Sequence, residues 1–316
     1  MGVSVSDALS GVLTLLIIIA AGFVMCKTGA IDEKTEEVLS KITLRYSIPF
    51  LMFDNALRYI DGAFFAEMGF WLVLPFCTML AGWIVGSLLL RLFRVKLEKR
   101  GLTLVMFGLS NSIFIGLPVV LSIFGERGTP YLMAYVLSNT VFFWTFGKLG
   151  IARDGGVKIA LGLSTFKELF SPPLTGFLAG TVVSLTGLQM PEFFMSAVRY
   201  MGGITVPMAL ILAGVVLGRM GREVFRMTKE GALTLTGRFL VLPALTLGAC
   251  LLFGADPLMA GVYTTVSAMP VMSQAMIIAR HYNADYPLAA KMLTLSTLLC
   301  LVFIPLLIAL MGVLIP

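Results

Sequence analysis

Apolar residues run along this chain in ten long stretches, near 8–26, 37–57, 68–90, 101–124, 130–150, 172–188, 193–218, 233–253, 257–280 and 287–315. Short polar connections separate them. About 20 apolar residues carry an α-helix across a bilayer, so the pattern predicts ten transmembrane helices. Alternation of period two, the mark of an outer-membrane barrel, is absent. The fold class read from the chain is therefore an all-α integral membrane protein. The first stretch is preceded by Asp7 and by no Lys or Arg. It lacks the positive flank of a signal peptide and reads as a retained helix.

The residues that break helices recur in order. Gly22, Thr28, Gly29 and Pro49 return as Gly180, Thr186, Gly187 and Pro207 at an offset of 158, half of the 316-residue chain. Leu72-Val73-Leu74-Pro75 returns as Leu240-Val241-Leu242-Pro243 at 168, Pro118 maps onto Pro270, and Pro130 onto Pro287. The repeat predicts two halves of five helices, 1–158 and 159–316, with no soluble domain. Five is odd, so the second half enters the membrane from the opposite side and the repeats are inverted. Inverted repeats in so apolar a chain point to a secondary transporter, with its site where matching helices break near the bilayer midplane. The connection at about 151–170, with Gly155-Gly156 and mixed charges, reads as a linker with a surface helix.

Charge adds an orientation. Most of the 23 Lys and Arg lie in the loops after the odd-numbered spans, among them Arg91, Arg94, Lys96, Lys99 and Arg100. Positive loops stay cytoplasmic, which places both termini on the outer side of the membrane. The net charge of +6 serves topology, and no soluble face exists for nucleic acid. At 58% hydrophobic, 13% charged and a mean hydropathy of +0.97, the chain has its partners in lipid. Cys26, Cys77, Cys250 and Cys300 stand singly, without metal or disulfide spacing, and read as small buried hydrophobes. The sole histidine, His281, ends the ninth span. Neither a metal set nor a nucleophile with its base is visible, which argues against an enzyme and implies no cofactor.

The fourth and ninth spans hold the candidate chemistry. The fourth reads Ser110-Asn111-Ser112-Ile113-Phe114-Ile115-Gly116-Leu117-Pro118, and the ninth reads Ser267-Ala268-Met269-Pro270-Val271-Met272-Ser273-Gln274. Proline removes a backbone donor and clashes with the preceding turn, and glycine weakens the helix further. Asn111 and Gln274 put amides at a depth where polar groups are costly unless satisfied or used. Each second half-helix then presents an N-terminus with about half a positive charge and free N–H groups, suited to an anion. These features make Asn111, Gly116, Pro118, Pro270, Ser273 and Gln274 the candidate substrate-binding residues.

Those motifs, with Phe124-Gly125-Glu126 and Ala279-Arg280-His281-Tyr282-Asn283, resemble the two crossovers of the auxin efflux carrier family. That family includes plant PIN carriers and bacterial carriers often associated with malate or malonate. The plant members' long cytoplasmic loop is missing, so the bacterial branch is the closer likeness. The resemblance implies two inverted five-helix repeats, two crossed broken helices, a scaffold and a transport unit, and an elevator-like movement. The family's crossover amide maps onto Asn111, while Gln274 stands where bacterial members often have Asn. The function expected is alternating-access transport of a small organic anion, a mono- or dicarboxylate.

Two charges fall inside the second span. Asp54 is the candidate coupling site for sodium or protons, weighed against a satisfied structural carboxylate. Arg45 is a candidate partner for a second substrate carboxylate, weighed against snorkelling. Arg238, early in the eighth span, reads more clearly as snorkelling. The alternative function is a cation-coupled symporter or antiporter with the bile-acid-symporter type of fold. Against antiport, no Asp or Glu lies between Leu102 and Phe124 or between Leu258 and Ala279. Faces rich in small residues leave a homodimer open.

Overall fold

The computed structural model describes residues 5–59, 62, 68–113, 115–157, 172–220 and 226–314. The expected linker helix within 151–170 lies largely outside them. Among the described residues the chain is helical throughout, with one isolated antiparallel bridge and no strand. In order come α1 (Val5–Lys27), α2 (Glu33–Ile42), α3 (Ile48–Tyr59), α4 (Val73–Leu92), α5 (Arg100–Gly108), α6 (Gly116–Phe124), α7 (Thr129–Phe142) and α8 (Lys148–Asp154). The second half supplies α9 (Pro172–Thr186), α10 (Glu192–Gly203), α11 (Thr205–Met220), α12 (Lys229–Thr236), α13 (Leu242–Leu252), α14 (Pro257–Ser267), α15 (Gln274–His281) and α16 (Tyr286–Leu314).

Among the described residues, three helical runs, Gly69–Leu92, Glu192–Arg219 and Lys229–Leu252, are by themselves long and apolar enough to cross a membrane. Other apolar stretches are interrupted, and the interruptions have local causes. The π-helical turns Thr43–Ser47, Phe143–Gly147 and Gly237–Val241 join α2 to α3, α7 to α8 and α12 to α13. Residues 109–115 and 268–273 separate α5 from α6 and α14 from α15. A few helix starts follow the capping rules. Asp32 accepts from Thr35 N–H at 2.7 Å, and Asp256, ahead of Pro257, accepts from Leu258 and Met259. The start of α5 is capped from a distance: Asp154, at the end of α8, accepts from Gly101 N–H at 3.0 Å and Leu102 N–H at 2.7 Å. Burial raises the Asp154 carboxyl from the usual 3.8 to about 6, against the pull of those two donors.

The core is densest around the two interrupted spans. Every residue from Gly101 to Gly108 and from Met259 to Ser267 is buried. Large apolar side chains such as Ile84, Leu88, Leu92, Val182 and Leu185 face outward, a surface suited to lipid and poorly suited to water.

Packing elsewhere repeats at the sequence offset. α1 lies along α11, and α9 lies along α3. A Cβ on Gly22 would collide with the Ile211 carbonyl, and one on Gly180 would collide with the Phe53 carbonyl. Both members of the second pair sit 158 residues from their counterparts in the first. Glycine is needed in both places because backbone meets backbone, the way membrane helices approach without a hydrophobic driving force. Gly22→Val and Gly180→Val are each expected to destabilise the protein by about 1–3 kcal/mol or more through overpacking. Melting of the detergent-purified variants checks this, and a loss confined to one variant contradicts the equivalence of the two contacts.

Candidate functional site at the crossing

The broken spans meet through their backbones. Ser110 and Val271 form the antiparallel bridge, and Asn111 N–H donates to the Pro270 carbonyl at 2.8 Å. Proline breaks the ninth span and leaves that carbonyl without a helical partner; the other broken span supplies the donor. The Asn111 carbonyl in turn accepts from Gly116 N–H at 3.1 Å, which starts α6. Asn111 is 3% exposed and Gln274, the first residue of α15, is 7% exposed.

Each broken segment is also braced from a neighbouring span, in matching positions. Asn139 of α7 accepts from Ser110 N–H at 3.3 Å and donates to the Ser110 carbonyl at 3.0 Å and to Ser112 Oγ at 3.3 Å. Ser296 of α16 accepts from Val271 N–H at 3.0 Å. Ser296 follows Asn139 by 157 residues, the offset that separates Pro130 from Pro287. Among the described residues, neither α6 nor α15 has a side-chain cap at its N-terminus. Ser273 occupies the N-cap position of α15, buried, with no hydrogen-bond partner for its Oγ. Two positive helix ends therefore lie beside the crossing without an acceptor from a capping side chain.

The other expected site residues fall out as follows. Pro118 lies in the first turn of α6, its side chain outside the described residues. At Gly116 an added Cβ would meet only ordinary contacts, the nearest being the Asn111 carbonyl at 3.6 Å, so glycine there reflects helix breaking and not lack of space. Arg45 sits exposed in the π turn after α2, apart from the groups joined at the crossing. Asp54 pairs with Arg58 one turn along α3 at 2.9 Å. Cys250 and Cys300 are buried as expected, but Cys77 is exposed.

Arg238 corrects the expectation of snorkelling. It is 0% exposed and donates to the carbonyl of Ser267, the last residue of α14. The π turn that carries it also places Gly237 flat against the Phe107 ring, which draws this part of the eighth span onto α5. Asn139, Ser296, Tyr135 and Asn55 were not singled out from the sequence. Asn139 carried a signal, an amide within an apolar stretch; Ser296 did not, because a serine satisfied by its own helix looks the same. Asn55 Nδ2 is buried without a partner. Asn55 lines, with Met52, Ile113, Thr140 and Phe177, a cavity of about 10 Å³, room for a single water. That cavity lies between α3 and α9 on one side and the crossing and α7 on the other.

A charged cluster joins the far end of α15 to two other helices. Arg219 of α11 pairs with the buried Glu36 of α2, and Arg280 Nε lies 3.5 Å from the same carboxylate. The Arg280 guanidinium also stacks 4.4 Å from the Tyr286 ring centre. The described residues hold no group of three or more His, Cys, Asp or Glu able to bind a metal.

The arrangement is an apolar helical bundle in which two interrupted stretches are joined through their backbones, compatible with a membrane protein. The family model described as membrane transport protein matches residues 7–308, and the chain belongs to that family, which is the auxin efflux carrier family. It is 27% identical over 300 residues to an uncharacterized transporter of Methanothermobacter thermautotrophicus, covering 93% of this chain and 95% of that protein. It is 24% identical over 305 residues to an uncharacterized transporter of Methanocaldococcus jannaschii, covering 93% and 96%.

Asn139→Leu removes three hydrogen bonds and leaves a buried backbone donor and acceptor unpaired, each costing roughly 1–3 kcal/mol. Ser296→Ala strands one donor. Asn139→Leu is expected to lower the melting temperature by more than Ser296→Ala, and an unchanged Asn139→Leu protein contradicts the brace.

Proposed function

We propose that this protein is a secondary carrier of a small organic anion, a mono- or dicarboxylate, held at the crossing of the two broken spans. The observation that carries the reading is the backbone junction of Ser110 and Asn111 with Pro270 and Val271, beside the uncapped starts of α6 and α15. A carboxylate has the charge and acceptor oxygens that two helix N-termini attract. Asn111, Gln274 and Ser273 supply further donors, and Gly116, Pro118 and Pro270 shape the breaks. Arg45 has no place in the binding step on this reading.

The paired contacts Gly22 with Ile211 and Gly180 with Phe53 favour two inverted repeats, 1–158 and 159–316, on a ten-helix plan. They join α1 to α11 and α3 to α9, whereas the broken spans are braced by α7 and α16, with α1 also packed against α6 and α16, and α11 against α16. That packing is compatible with an elevator-like exchange in which the braced set slides against the two helix pairs and exposes the site alternately to each side. The Lys and Arg pattern supports a cytoplasmic membrane with both termini outside. The rival reading makes Asp54 a sodium or proton site; its pairing with Arg58 argues against that.

Reconstituted into liposomes, the protein is expected to exchange labelled malonate or malate. Asn111→Ala is expected to reduce exchange at least about tenfold, the scale of one lost charge-assisted hydrogen bond, with unchanged melting. Full exchange by that variant contradicts the site, and exchange that requires sodium or a pH gradient favours the rival reading.

A further inference from the structure

The most unusual group in the molecule is Arg238. It is a fully buried guanidinium in an apolar stretch, and it donates to a main-chain carbonyl, that of Ser267. Nε and Nη1 are buried and have no hydrogen-bond partner among the described residues. No carboxylate pairs with it in that set. A cation withdrawn from water without a counter-charge is strongly destabilising, and intramembrane charges persist where they serve a function. The carbonyl end of α14, with about half a negative charge, offsets only part of that cost.

The surroundings are polar and equally unfilled. Tyr135 of α7 interacts with both Arg238 and Ser110, yet its Oη completes no well-formed hydrogen bond. Ser110 Oγ is likewise buried without a partner, while its backbone is the crossing itself. Cys300, whose Sγ reaches the Ala268 carbonyl at 3.8 Å, flanks the guanidinium on the α16 side. Guanidinium, phenol and hydroxyl therefore converge beside the crossing, and Arg238 Nε and Nη1, Tyr135 Oη and Ser110 Oγ all lack a well-formed hydrogen bond among the described residues. The internal repeat gives no equivalent: the alignment of Leu240-Val241-Leu242-Pro243 with Leu72-Val73-Leu74-Pro75 sets Phe70 against Arg238.

We infer that Arg238, with Tyr135 and Ser110, is the carboxylate-binding subsite of the crossing. The inference rests on the carrier reading above and deepens it: the helix N-termini attract an anion, and Arg238 supplies the full charge that fixes a carboxylate. A guanidinium presents paired N–H donors that match two carboxylate oxygens, which a lysine ammonium does not. For a dicarboxylate, one carboxylate sits on Arg238 and the other between the starts of α6 and α15.

Substitution separates this role from capping of α14. Arg238→Gln keeps a donor for the Ser267 carbonyl but removes the charge; Arg238→Lys keeps the charge but not the fork. Tyr135→Phe removes only the phenol. Thermal shift of the full-length purified proteins is measured with sodium acetate, malonate, malate and succinate, against sodium chloride at equal ionic strength. The wild-type protein is expected to be stabilised by at least one carboxylate and not by chloride. The apparent Kd is expected to rise about tenfold or more in Arg238→Gln and severalfold in Arg238→Lys and Tyr135→Phe, with ligand-free melting of the last two close to wild type. A wild-type response retained in Arg238→Gln but lost in Asn111→Ala overturns the Arg238 assignment and leaves the carrier reading standing. A chloride shift abolished by Arg238→Gln overturns it in favour of an inorganic anion. No carboxylate response in the wild-type protein overturns both readings. If Arg238→Gln fails to fold, an unchanged Kd in both Arg238→Lys and Tyr135→Phe overturns the subsite.

Discussion

An α-helix broken inside a membrane must find partners for the backbone groups it frees, because hydrocarbon offers none. The rest of this structure follows from that constraint. The two breaks satisfy each other through Ser110 with Val271 and Asn111 with Pro270, and each is finished by a brace from its own half. The braces work because α7 and α16 pass directly beside the breaks; Gly101–Gly108 are buried mainly among α4, α8 and α12, and Met259–Ser267 mainly among α13, α7 and α6. No side chain caps the start of α6 or of α15, and on the carrier reading the partial positive charge of those helix ends is what attracts the anion.

The outline of this solution was legible in the chain, since proline and glycine at matching depths reveal a break wherever they fall. The paired glycine contacts were also foreshadowed: Gly22 and Gly180 stood out as repeated small residues before their facing carbonyls were known. What the sequence hid depends on distant segments. Ser296 resembles any serine in an apolar helix, and only the fold puts it under Val271 N–H. Arg238 was misread for the same reason. Its position near a span end suggested a reach towards water, while the π turn at Gly237–Val241 and the contact of Gly237 with Phe107 turn it into the bundle. For Asp54 the sequence left a coupling site and a satisfied structural carboxylate both open, and the ion pair with Arg58, one turn on, favours the second.

The symmetry and its failure carry different information. Equivalent positions in the two halves, Gly22 with Gly180 and Asn139 with Ser296, hold helices and backbone in place. Asp54, which the 158-residue offset sets against Leu212, has no acidic counterpart, but it is paired with Arg58. Arg238 breaks the symmetry at the crossing itself, as a buried cation with donors unfilled. On the carrier reading, a buried guanidinium with no carboxylate partner among the described residues suits a single anionic occupant.

The central claim is that the crossing holds an organic anion. A density map of the lipid-embedded protein in a saturating concentration of whichever carboxylate stabilises it tests this most directly. The account predicts density for the anion beside Asn111, at the starts of α6 and α15 and within reach of Arg238, with residues 109–115 and 268–273 still non-helical. Anion density elsewhere, or continuous helices through those two segments, contradicts it.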